Sequence, residues 1–411
     1  MESSSYKVYG YRWVVLLGFM VVVVINQLLW ITFAAVTSTA SHFYGVSDMA
    51  IGLLSMSFLI VYIVVAIPAS WVIDTYGLRV AVGIGAILTG VFGLMRGLVA
   101  ADYTLVLMAQ IGIAVGQPFI LNAITTVAAR WFPLEERATA SGLGTLAIYL
   151  GILAGLALTP LLTLRWSLEF TLIAYGIAAL LSAGVFFFIV KERPPTPPCP
   201  PDQDERSLVF DGFRQILRQK NFLLLLLIFF IGLGVFNAVT TWIEDMVRPR
   251  GFSIAQAGVI GGLMIISGIA GAIITPTLSD HLRRRTPFII IALIGASVGL
   301  IGLTFATNYG VLLLFAAIFG FFLLSSGPVR FQYGAEITYP APEGTSNGLL
   351  LLMGQISGII FIIAMDAFKS PASGSMTLPL VVLIVLMVAA LLLSLRLPES
   401  ALIAETAPRE D

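Results

Sequence analysis

Runs of apolar residues, interrupted by short polar segments, recur along the whole chain. A helix that crosses a bilayer needs about 20 predominantly apolar residues, and each run has this length. The runs lie at about 14–38, 49–73, 80–100, 103–129, 138–162, 168–190, 222–246, 254–279, 287–306, 309–333, 345–367 and 376–396. The pattern therefore predicts an all-α membrane protein with twelve transmembrane helices.

The longest polar interruption, at 191–221, divides the runs into six and six. It contains the stretch PPTPPCPPDQDE, whose prolines favour an extended linker. The following residues are typical of a short amphipathic helix on a membrane surface, with one apolar side formed by Leu208, Phe210, Phe213, Ile216 and Leu217. We predict an N-terminal six-helix bundle over 1–190, a cytosolic linker with this amphipathic helix over 191–221, and a C-terminal six-helix bundle over 222–411.

Composition supports a membrane protein and excludes some partners. Of 411 residues, 58% are hydrophobic and 11% charged, against about 25% charged residues in soluble domains. The 22 Lys and Arg balance the 22 Asp and Glu, so no net basicity points to nucleic acid. The single cysteine, Cys199, excludes an intramolecular disulfide. We expect a monomer in the lipid bilayer that binds a small-molecule substrate and no nucleic acid.

The distribution of basic residues predicts the orientation in the membrane. If both termini are cytoplasmic, 17 of the 22 Lys and Arg residues lie inside, among them Arg330, and five lie outside, among them Arg96. This is the positive-inside bias of plasma (cytoplasmic) membrane proteins. The adjacent arginines 283–285 are read mainly as an anchor to anionic headgroups.

An internal repeat is visible at an offset near 206 residues. SWVIDTYGLR, ending at Arg79, matches PTLSDHLRRR, ending at Arg285, with Asp74 and Asp280 in register. A second pair, WFPLEERATASGL and TYPAPEGTSNGL, occupies the same place in each half. Two matches at one offset predict two pseudo-symmetric bundles, an arrangement typical of transporters with a site at the interface of the halves.

Particular motifs resemble known families. The loops DTYGLR and DHLRRR resemble the loop signature of the major facilitator superfamily. A closer resemblance, to the feline leukaemia virus subgroup C receptor family, rests on the strings NQLLW, GQPFIL, EITYPAPEGTSNGLL and GQISG. The resemblance implies the major facilitator fold and transport of choline, ethanolamine or haem. The family's seventh-span tyrosine falls at Phe236–Asn237, where this chain departs from the pattern.

The repeated loops supply candidate gating residues. Asp74 and Asp280 follow spans at the cytoplasmic side, where a carboxylate interacts favourably with a helix N-terminus. Pseudo-symmetry suggests crossed partners in the other half, Asp74 with the helix start near Thr345 and Asp280 with the helix start near Thr139. The alternative is an ordinary solvated loop charge. The gating candidates are Asp74, Arg79, Asp280, Arg284, Thr139 and Thr345.

Aromatic and amide side chains within the spans supply candidate binding residues. Trp30 lies midway along the first run, away from the interface where tryptophan is favoured, and Phe236 is its repeat counterpart. Two such rings suit a quaternary ammonium, whereas the alternative for Trp30 is packing between helices. A buried amide needs a partner, which is either another helix or a substrate. The substrate-binding candidates are Trp30, Gln117, Phe236, Asn237, Gln355, Tyr149 and Asn26.

Ionisable residues are absent near the middle of the predicted spans. Acidic residues and both histidines lie near span ends, so a proton relay lacks its parts and facilitated transport is the simpler prediction. Glu244 and Asp245 are expected to attract cations at the outer mouth. No Gly-rich phosphate loop or H-E-x-x-H motif is present, and mid-membrane His or Cys ligands for haem are absent. We expect a transporter without cofactors and not an enzyme.

Three functions remain open at this point. The first is a carrier of a small organic cation such as choline or ethanolamine, working by alternating access. The second is an exporter of amphipathic drugs or haem-like solutes, which would use the same aromatic side chains. The third is a membrane receptor or scaffold that transports nothing.

Overall fold

The computed structural model describes residues 7–133, 136–198, 216–338 and 343–400, with the backbone alone at 138 and 343–345. Throughout these ranges the regular elements are helices. The chain forms two compact units, Met1–Arg206 (unit 1) and Ser207–Asp411 (unit 2). The boundary falls inside the predicted linker. The predicted amphipathic helix lies, for Leu208, Phe210 and Phe213, outside the described residues.

Unit 1 is built from apolar helices joined by short connections. Its described helices are α1 (Arg12–Ile31), α2 (Thr37–Tyr44), α3 (Asp48–Tyr76), α4 (Leu78–Leu98), α5 (Tyr103–Leu121), α6 (Ile124–Trp131), α7 (Arg137–Arg165) and α8 (Leu168–Ile189). Side chains cap the starts of several of them. Ser47 accepts a hydrogen bond from the Ala50 amide, and Asp102 accepts one from the Leu105 amide. Such caps satisfy amides that have no partner in the first helical turn.

Unit 2 repeats this plan. Its described helices are α9 (Lys220–Thr241), α10 (Ile243–Val247), a 3₁₀ turn (Arg248–Arg250), α11 (Ile254–His281), α12 (Thr286–Phe305), α13 (Tyr309–Thr338), α14 (Glu343–Ala367) and α15 (Thr377–Ser394). At the start of α11, Ser253 and Gln256 form a reciprocal capping box.

The repeat is visible in the helix boundaries themselves. Helices α3, α5 and α7 begin at residues 48, 103 and 137, and α11, α13 and α14 begin at 254, 309 and 343. Each helix of the second group therefore starts 206 residues after its counterpart. The internal repeat predicted from two loop motifs extends over the helices of both units.

Twelve helical segments in the described ranges are long and apolar enough to cross a membrane. The prediction of twelve spans is confirmed, with α5 and α6 together forming the fourth. Large apolar side chains cover the outer surfaces, for example Ile67 at 75% and Phe188 at 90% exposure. Such an apolar exterior suits contact with lipid rather than water.

Two spans contain breaks that the hydrophobic pattern does not show. The first apolar run continues to residue 38, but α1 ends at Ile31 and α2 begins at Thr37. The Thr32 hydroxyl donates to the Leu28 carbonyl oxygen at 2.8 Å, which competes with helical hydrogen bonding. Between α5 and α6, the side-chain amide nitrogen of Asn122 donates to the Ala66 carbonyl oxygen and to the Ser70 hydroxyl of α3.

The predicted topology can be tested through Cys199, which lies in the linker outside the described residues. In intact cells, an impermeant thiol reagent should leave Cys199 unlabelled, because positive-inside loops face the cytoplasm. A Cys199→Ser chain with a cysteine at exposed Ser373, in the connection before α15, is the matched control and should be labelled. Labelling of Cys199 from outside would contradict the topology.

Candidate functional site

Trp30 lies near the end of α1 and is buried within unit 1, with 5% of its surface exposed. Its indole N–H donates to the Ser55 carbonyl oxygen of α3 at 3.1 Å, and the Ser55 hydroxyl donates to the Trp30 carbonyl oxygen at 3.4 Å. These two bonds fix both the backbone and the ring orientation of Trp30. The hydrogen bond uses the edge of the indole ring, so its electron-rich faces remain suited to a cation.

Asn26 lies one turn before Trp30 and is completely buried. Its amide nitrogen donates to the Thr89 hydroxyl of α4 at 3.1 Å, and its carbonyl oxygen accepts from the Gln27 amide at 3.2 Å. The Thr89 contact holds α1 against α4, and the Gln27 contact lies within α1. A direct substrate contact by Asn26 would have to use its second amide N–H or the second lone pair of its oxygen.

Gln117 and Tyr149 are the remaining candidates of unit 1. Gln117 is buried in α5, and its amide makes no hydrogen bond to another residue that the structure describes. Because both polar atoms of Asn26 are already hydrogen-bonded, the Gln117 amide is a stronger candidate for a ligand contact than Asn26. Tyr149 is half-buried on α7.

In unit 2, the candidates lie on the packed helices α9 and α14. Phe236 and Asn237 of α9 are buried, and the Asn237 amide donates to the Gly354 carbonyl oxygen at 3.2 Å. The next residue, Gln355, has a buried Oε1 that receives no hydrogen bond from the described residues. The buried hydroxyls of Thr240 and Thr241, one turn beyond Phe236, likewise have no partner there. Unit 2 therefore contains polar atoms that a ligand carrying hydrogen-bond donors would satisfy.

The predicted cytoplasmic end of unit 2 contains a charge cluster around Arg285. This arginine is buried and pairs with Asp280 at the end of α11 and, at 3.0 Å, with Glu336 of α13. Burial lowers the pKa of its guanidinium, but the hydrogen bonds to Asp280 and Glu336 outweigh burial, so the pKa is raised overall and the group stays charged. Arg285 is thus a buried ion-pair partner, unlike the headgroup anchor expected for the run 283–285.

In each unit, a glutamate that follows the last helix of the unit caps the helix after the repeated loop, which contains Asp74 in unit 1 and Asp280 in unit 2. Glu192 accepts from the amides of Leu78 and Arg79, at 3.0 and 2.6 Å, at the start of α4. Glu399 accepts from the amides of Arg285 and Thr286, at 2.8 and 3.4 Å, at the start of α12. A carboxylate at a helix N-terminus is favoured by the exposed amides and the helix dipole.

Gly77 is required by the unit 1 version of this cap. Its φ is +93°, which favours glycine, and a Cβ there would collide with the Glu192 carboxylate. Glu192 also pairs with Arg130 at the end of α6. Through Glu192, the start of α4 is therefore joined to the end of the fourth span.

The other gating candidates are distributed over the surfaces of their own units. Asp74 and Arg284 are exposed, and Thr139 is exposed near the start of α7. The Arg79 guanidinium donates to the Phe187 carbonyl oxygen of α8 at 3.1 Å. The side chain of Thr345 lies outside the described residues, so its predicted contact with Asp74 stays a prediction.

Glu244 and Asp245 do not form an open cation-attracting mouth within unit 2. Both are buried, and both pair with Arg248, at 3.5 and 2.5 Å. Lys369 adds a second partner for Asp245 at 3.2 Å. The expectation was wrong because two basic residues, from the turn after α10 and the segment after α14, neutralise the acidic pair.

Two arginines assigned to span ends lie buried within the spans. Arg96 of α4 and Arg330 of α13 are 0% and 3% exposed. The Arg330 guanidinium donates to the carbonyl oxygen and hydroxyl of Ser326 and lies 5.2 Å from the Phe229 ring centroid. A charge inside an apolar run is itself a sequence signal for a buried polar contact. When Arg330 is left out of the inside count and Arg96 out of the outside count, the excess of basic residues inside is unchanged.

Comparison with known proteins places the fold and the loop motifs in one family. Residues 9–362 match the family model described as Major Facilitator Superfamily. The chain belongs to the major facilitator superfamily. The predicted all-α fold with twelve spans is thereby confirmed as the major facilitator fold, and the protein is a multi-pass membrane transporter by family.

Individual relatives agree with the closer resemblance. The Felis catus choline/ethanolamine transporter FLVCR1 is 30% identical, over 89% of this chain and 70% of that protein. The Xenopus tropicalis solute carrier family 49 member A3 is 29% identical, over 91% of this chain and 81% of that protein. The resemblance to the feline leukaemia virus subgroup C receptor family is therefore confirmed.

A solved structure supports the fold alone. The inward-facing, unoccupied crystal structure of a bacterial homolog of the human lysosomal transporter Spinster has a TM-score of 0.76 and 17% identity. The match covers 94% of this chain and 97% of that chain. Transporters with unrelated substrates share this architecture, so substrate choice must be argued from side chains.

The gating role expected for the repeated aspartates leads to a prediction about conformational preference. Asp74→Asn and Asp280→Asn should each shift the transporter toward inward-facing states, because each removes a negative charge expected to favour inside closure. A change of about 1.4 kcal/mol alters the ratio of states tenfold. Reactivity of cysteines introduced near the cytoplasmic span ends measures the shift.

Asp102→Asn is the matched control, since it removes one negative charge from an exposed helix cap while keeping a capping side chain. Its accessibility pattern should equal that of the unsubstituted protein. Unchanged reactivity in both the Asp74 and Asp280 variants would show that these residues are only loop charges.

Proposed function

We propose that this transporter is a facilitative carrier of a small organic cation such as choline or ethanolamine, working by alternating access. The observation that carries the proposal is the buried Phe236 ring on α9, together with buried polar atoms of Thr240 on α9 and Gln355 on the packed helix α14 that have no hydrogen-bond partner among the described residues. The rings suit the cationic head, and the polar atoms suit a hydroxyl or amine. The similarity to the Felis catus choline/ethanolamine transporter FLVCR1 supports the same substrate class.

The proposed roles follow from the chemistry of each side chain. Trp30 and Phe236 contact the ammonium head, where a desolvated cation–π contact contributes about 2 kcal/mol. Gln117 and Gln355 orient the polar end of the substrate, assisted by Asn237. Tyr149 contributes a further polar contact, and Asn26 acts by holding the α1 segment that carries Trp30.

We also propose the cellular setting. The excess of basic residues in one set of loops supports a cytoplasmic position for both termini and the linker, and the protein works as a monomer in the plasma (cytoplasmic) membrane. The transport chemistry resides in the helices, so no cofactor is proposed.

Uptake of radiolabelled choline into proteoliposomes tests the proposed substrate. Uptake should saturate and should be blocked by excess ethanolamine, but not by an equal concentration of a large lipophilic cation. Inhibition by lipophilic cations with no choline flux would favour the exporter of amphipathic drugs. Absence of flux with any of these solutes would favour a receptor or scaffold.

Transport should not need a proton gradient. Among the described residues, the buried acidic side chains are Glu244 and Asp245, and both are ion-paired, so a free mid-membrane proton acceptor is not available there. Choline uptake should persist when an ionophore collapses the pH gradient while the choline gradient is kept. A fall to background would show proton coupling, and Glu336→Gln would then be the first variant to examine.

A further inference from the structure

The end of α1 is buried inside unit 1, which creates an unusual demand for hydrogen-bond donors. Ile31, Thr32 and Phe33 are all 0% exposed. A helix end leaves its last carbonyl groups without helical partners, and buried carbonyl groups must find donors elsewhere. The carbonyl groups in question belong to the turn that carries Trp30.

Arg96 and Gln110 supply these donors from two other helices. Arg96 Nη1 donates to the Leu29 carbonyl oxygen at 3.0 Å, and Gln110 Nε2 donates to the same oxygen at 3.3 Å. Arg96 Nη2 also reaches the Thr32 hydroxyl at 3.4 Å. The carbonyl immediately before Trp30 is therefore held from both α4 and α5.

The same two side chains connect this helix end to α3. Arg96 Nη1 donates to Gln110 Oε1 at 2.7 Å, and Gln110 Nε2 donates to the Leu54 carbonyl oxygen at 3.2 Å. The next residue of α3, Ser55, accepts the Trp30 indole N–H. Trp30 thus lies between two backbone positions, residues 29 and 54, that one buried network fixes.

The charge of Arg96 is balanced by the helix end. No acidic side chain in the described part of the chain pairs with it, and its Nε has no acceptor there. The guanidinium instead lies 5.5 Å from the Phe33 ring centroid and faces the carbonyl end of α1, both of which favour a cation. A planar guanidinium can donate in several directions at once, which a lysine ammonium cannot reproduce in the same geometry.

We propose that Arg96, acting with Gln110, is a positioning residue that sets the orientation of the Trp30 indole. Its relevance to transport rests on the proposed function, in which Trp30 contacts the substrate. Arg96 itself lies behind the helix end and works through Leu29. Arg96 is thereby assigned an indirect role in substrate affinity, through the orientation of Trp30.

Fluorine NMR of protein labelled with 5-fluorotryptophan tests the positioning directly and without substrate. The six tryptophan signals are assigned with Trp→Phe variants. Arg96→Lys should move the Trp30 signal by more than its linewidth. The Trp242 signal should stay in place, because its indole N–H donates to the Ile362 carbonyl oxygen of unit 2.

Arg250→Lys is the matched control. Arg250 also donates to carbonyl groups at a helix end, those of Leu303 in the last turn of α12 and Ala306 just after it, so the substitution removes the same kind of cap away from Trp30. Gln110→Met is a second test variant that retains Arg96. A Trp30 signal that is unmoved in both Arg96→Lys and Gln110→Met would overturn the proposal.

A double-mutant cycle on choline affinity tests the consequence for binding. Arg96→Lys should weaken binding about tenfold in the native background and less than twofold when Trp30 is already alanine, since coupled residues are not additive. Equal losses in both backgrounds would overturn the proposal. If Trp30→Ala alone leaves choline binding unchanged, the proposed function fails, while the fluorine signal still decides the positioning.

Discussion

Replacing Trp30 with alanine should weaken choline binding by about 2 kcal/mol, or about thirtyfold. The substitution removes both the contact area and the electron-rich face of the indole. Trp30→Phe keeps a ring with a weaker quadrupole and should lose less affinity. Binding to the purified variants, measured by calorimetry together with the melting temperature, provides the result.

Stability must be measured on the same samples because Trp30 also donates a hydrogen bond to the Ser55 carbonyl oxygen. Trp242→Ala is the matched control, since Trp242 is a fully buried tryptophan of unit 2 whose indole also donates to a backbone carbonyl. The control should lower the melting temperature and spare affinity. If Trp30→Ala behaves in the same way, Trp30 is a packing residue and not a substrate contact.

Replacing Gln355 with alanine should separate substrates by their polar group. The buried Oε1 of Gln355 has no donor among the described residues, so a substrate hydroxyl or ammonium N–H is expected to supply one. A hydrogen bond of this kind contributes about 1.5 kcal/mol, or about tenfold in affinity. Gln355→Ala should therefore weaken choline about tenfold and leave tetramethylammonium, which has no donor N–H or O–H group, nearly unchanged.

Gln332→Ala is a suitable control for this comparison. Gln332 carries the same amide, but it is exposed on α13 and donates to Glu336, so its loss should affect neither cation. Equal weakening of both cations by Gln355→Ala would show that the residue packs the helices and does not read the polar group.

The sequence predicts the framework well because the bilayer imposes a simple rule on it. Twenty or so apolar residues suffice to specify a span, and the repeat of Asp74 and Asp280 locates equivalent loops. Breaks inside apolar runs are not visible in this way. The turn after Ile31 consists largely of apolar residues, and only the three-dimensional contacts of Thr32 and Arg96 show why the helix ends there.

Pairing of charged residues is the part that the sequence leaves open. Arg283, Arg284 and Arg285 look alike as a run, yet only Arg285 is buried between Asp280 and Glu336. The same holds for Glu244 and Asp245, whose partners come from a neighbouring turn and from a segment more than 100 residues away. Hydropathy shows that a charge within an apolar segment is unfavourable, but it does not show which residue pairs with that charge.

For the candidate site, the sequence identifies which residue types are present, but it does not show which of their polar groups are free to bind a ligand. Asn26 and Gln117 are both amides within apolar runs, but Asn26 is engaged by Thr89 and Gln27, whereas Gln117 has no hydrogen bond in the described ranges. The Arg96 network had a sequence signal, an arginine and a glutamine within apolar runs. The role of Arg96 and Gln110 can be inferred only from the structure, in which both side chains donate to the end of α1.

Counterflow in proteoliposomes tests the central claim, carrier-mediated exchange of a choline-like cation, most directly. Vesicles loaded with unlabelled choline are diluted into a trace of labelled choline, with no pH or ion gradient. An alternating-access carrier should accumulate label transiently above equilibrium, and Trp30→Ala should reduce this accumulation while Trp242→Ala retains it. Label that only equilibrates, or that never enters, would contradict the account.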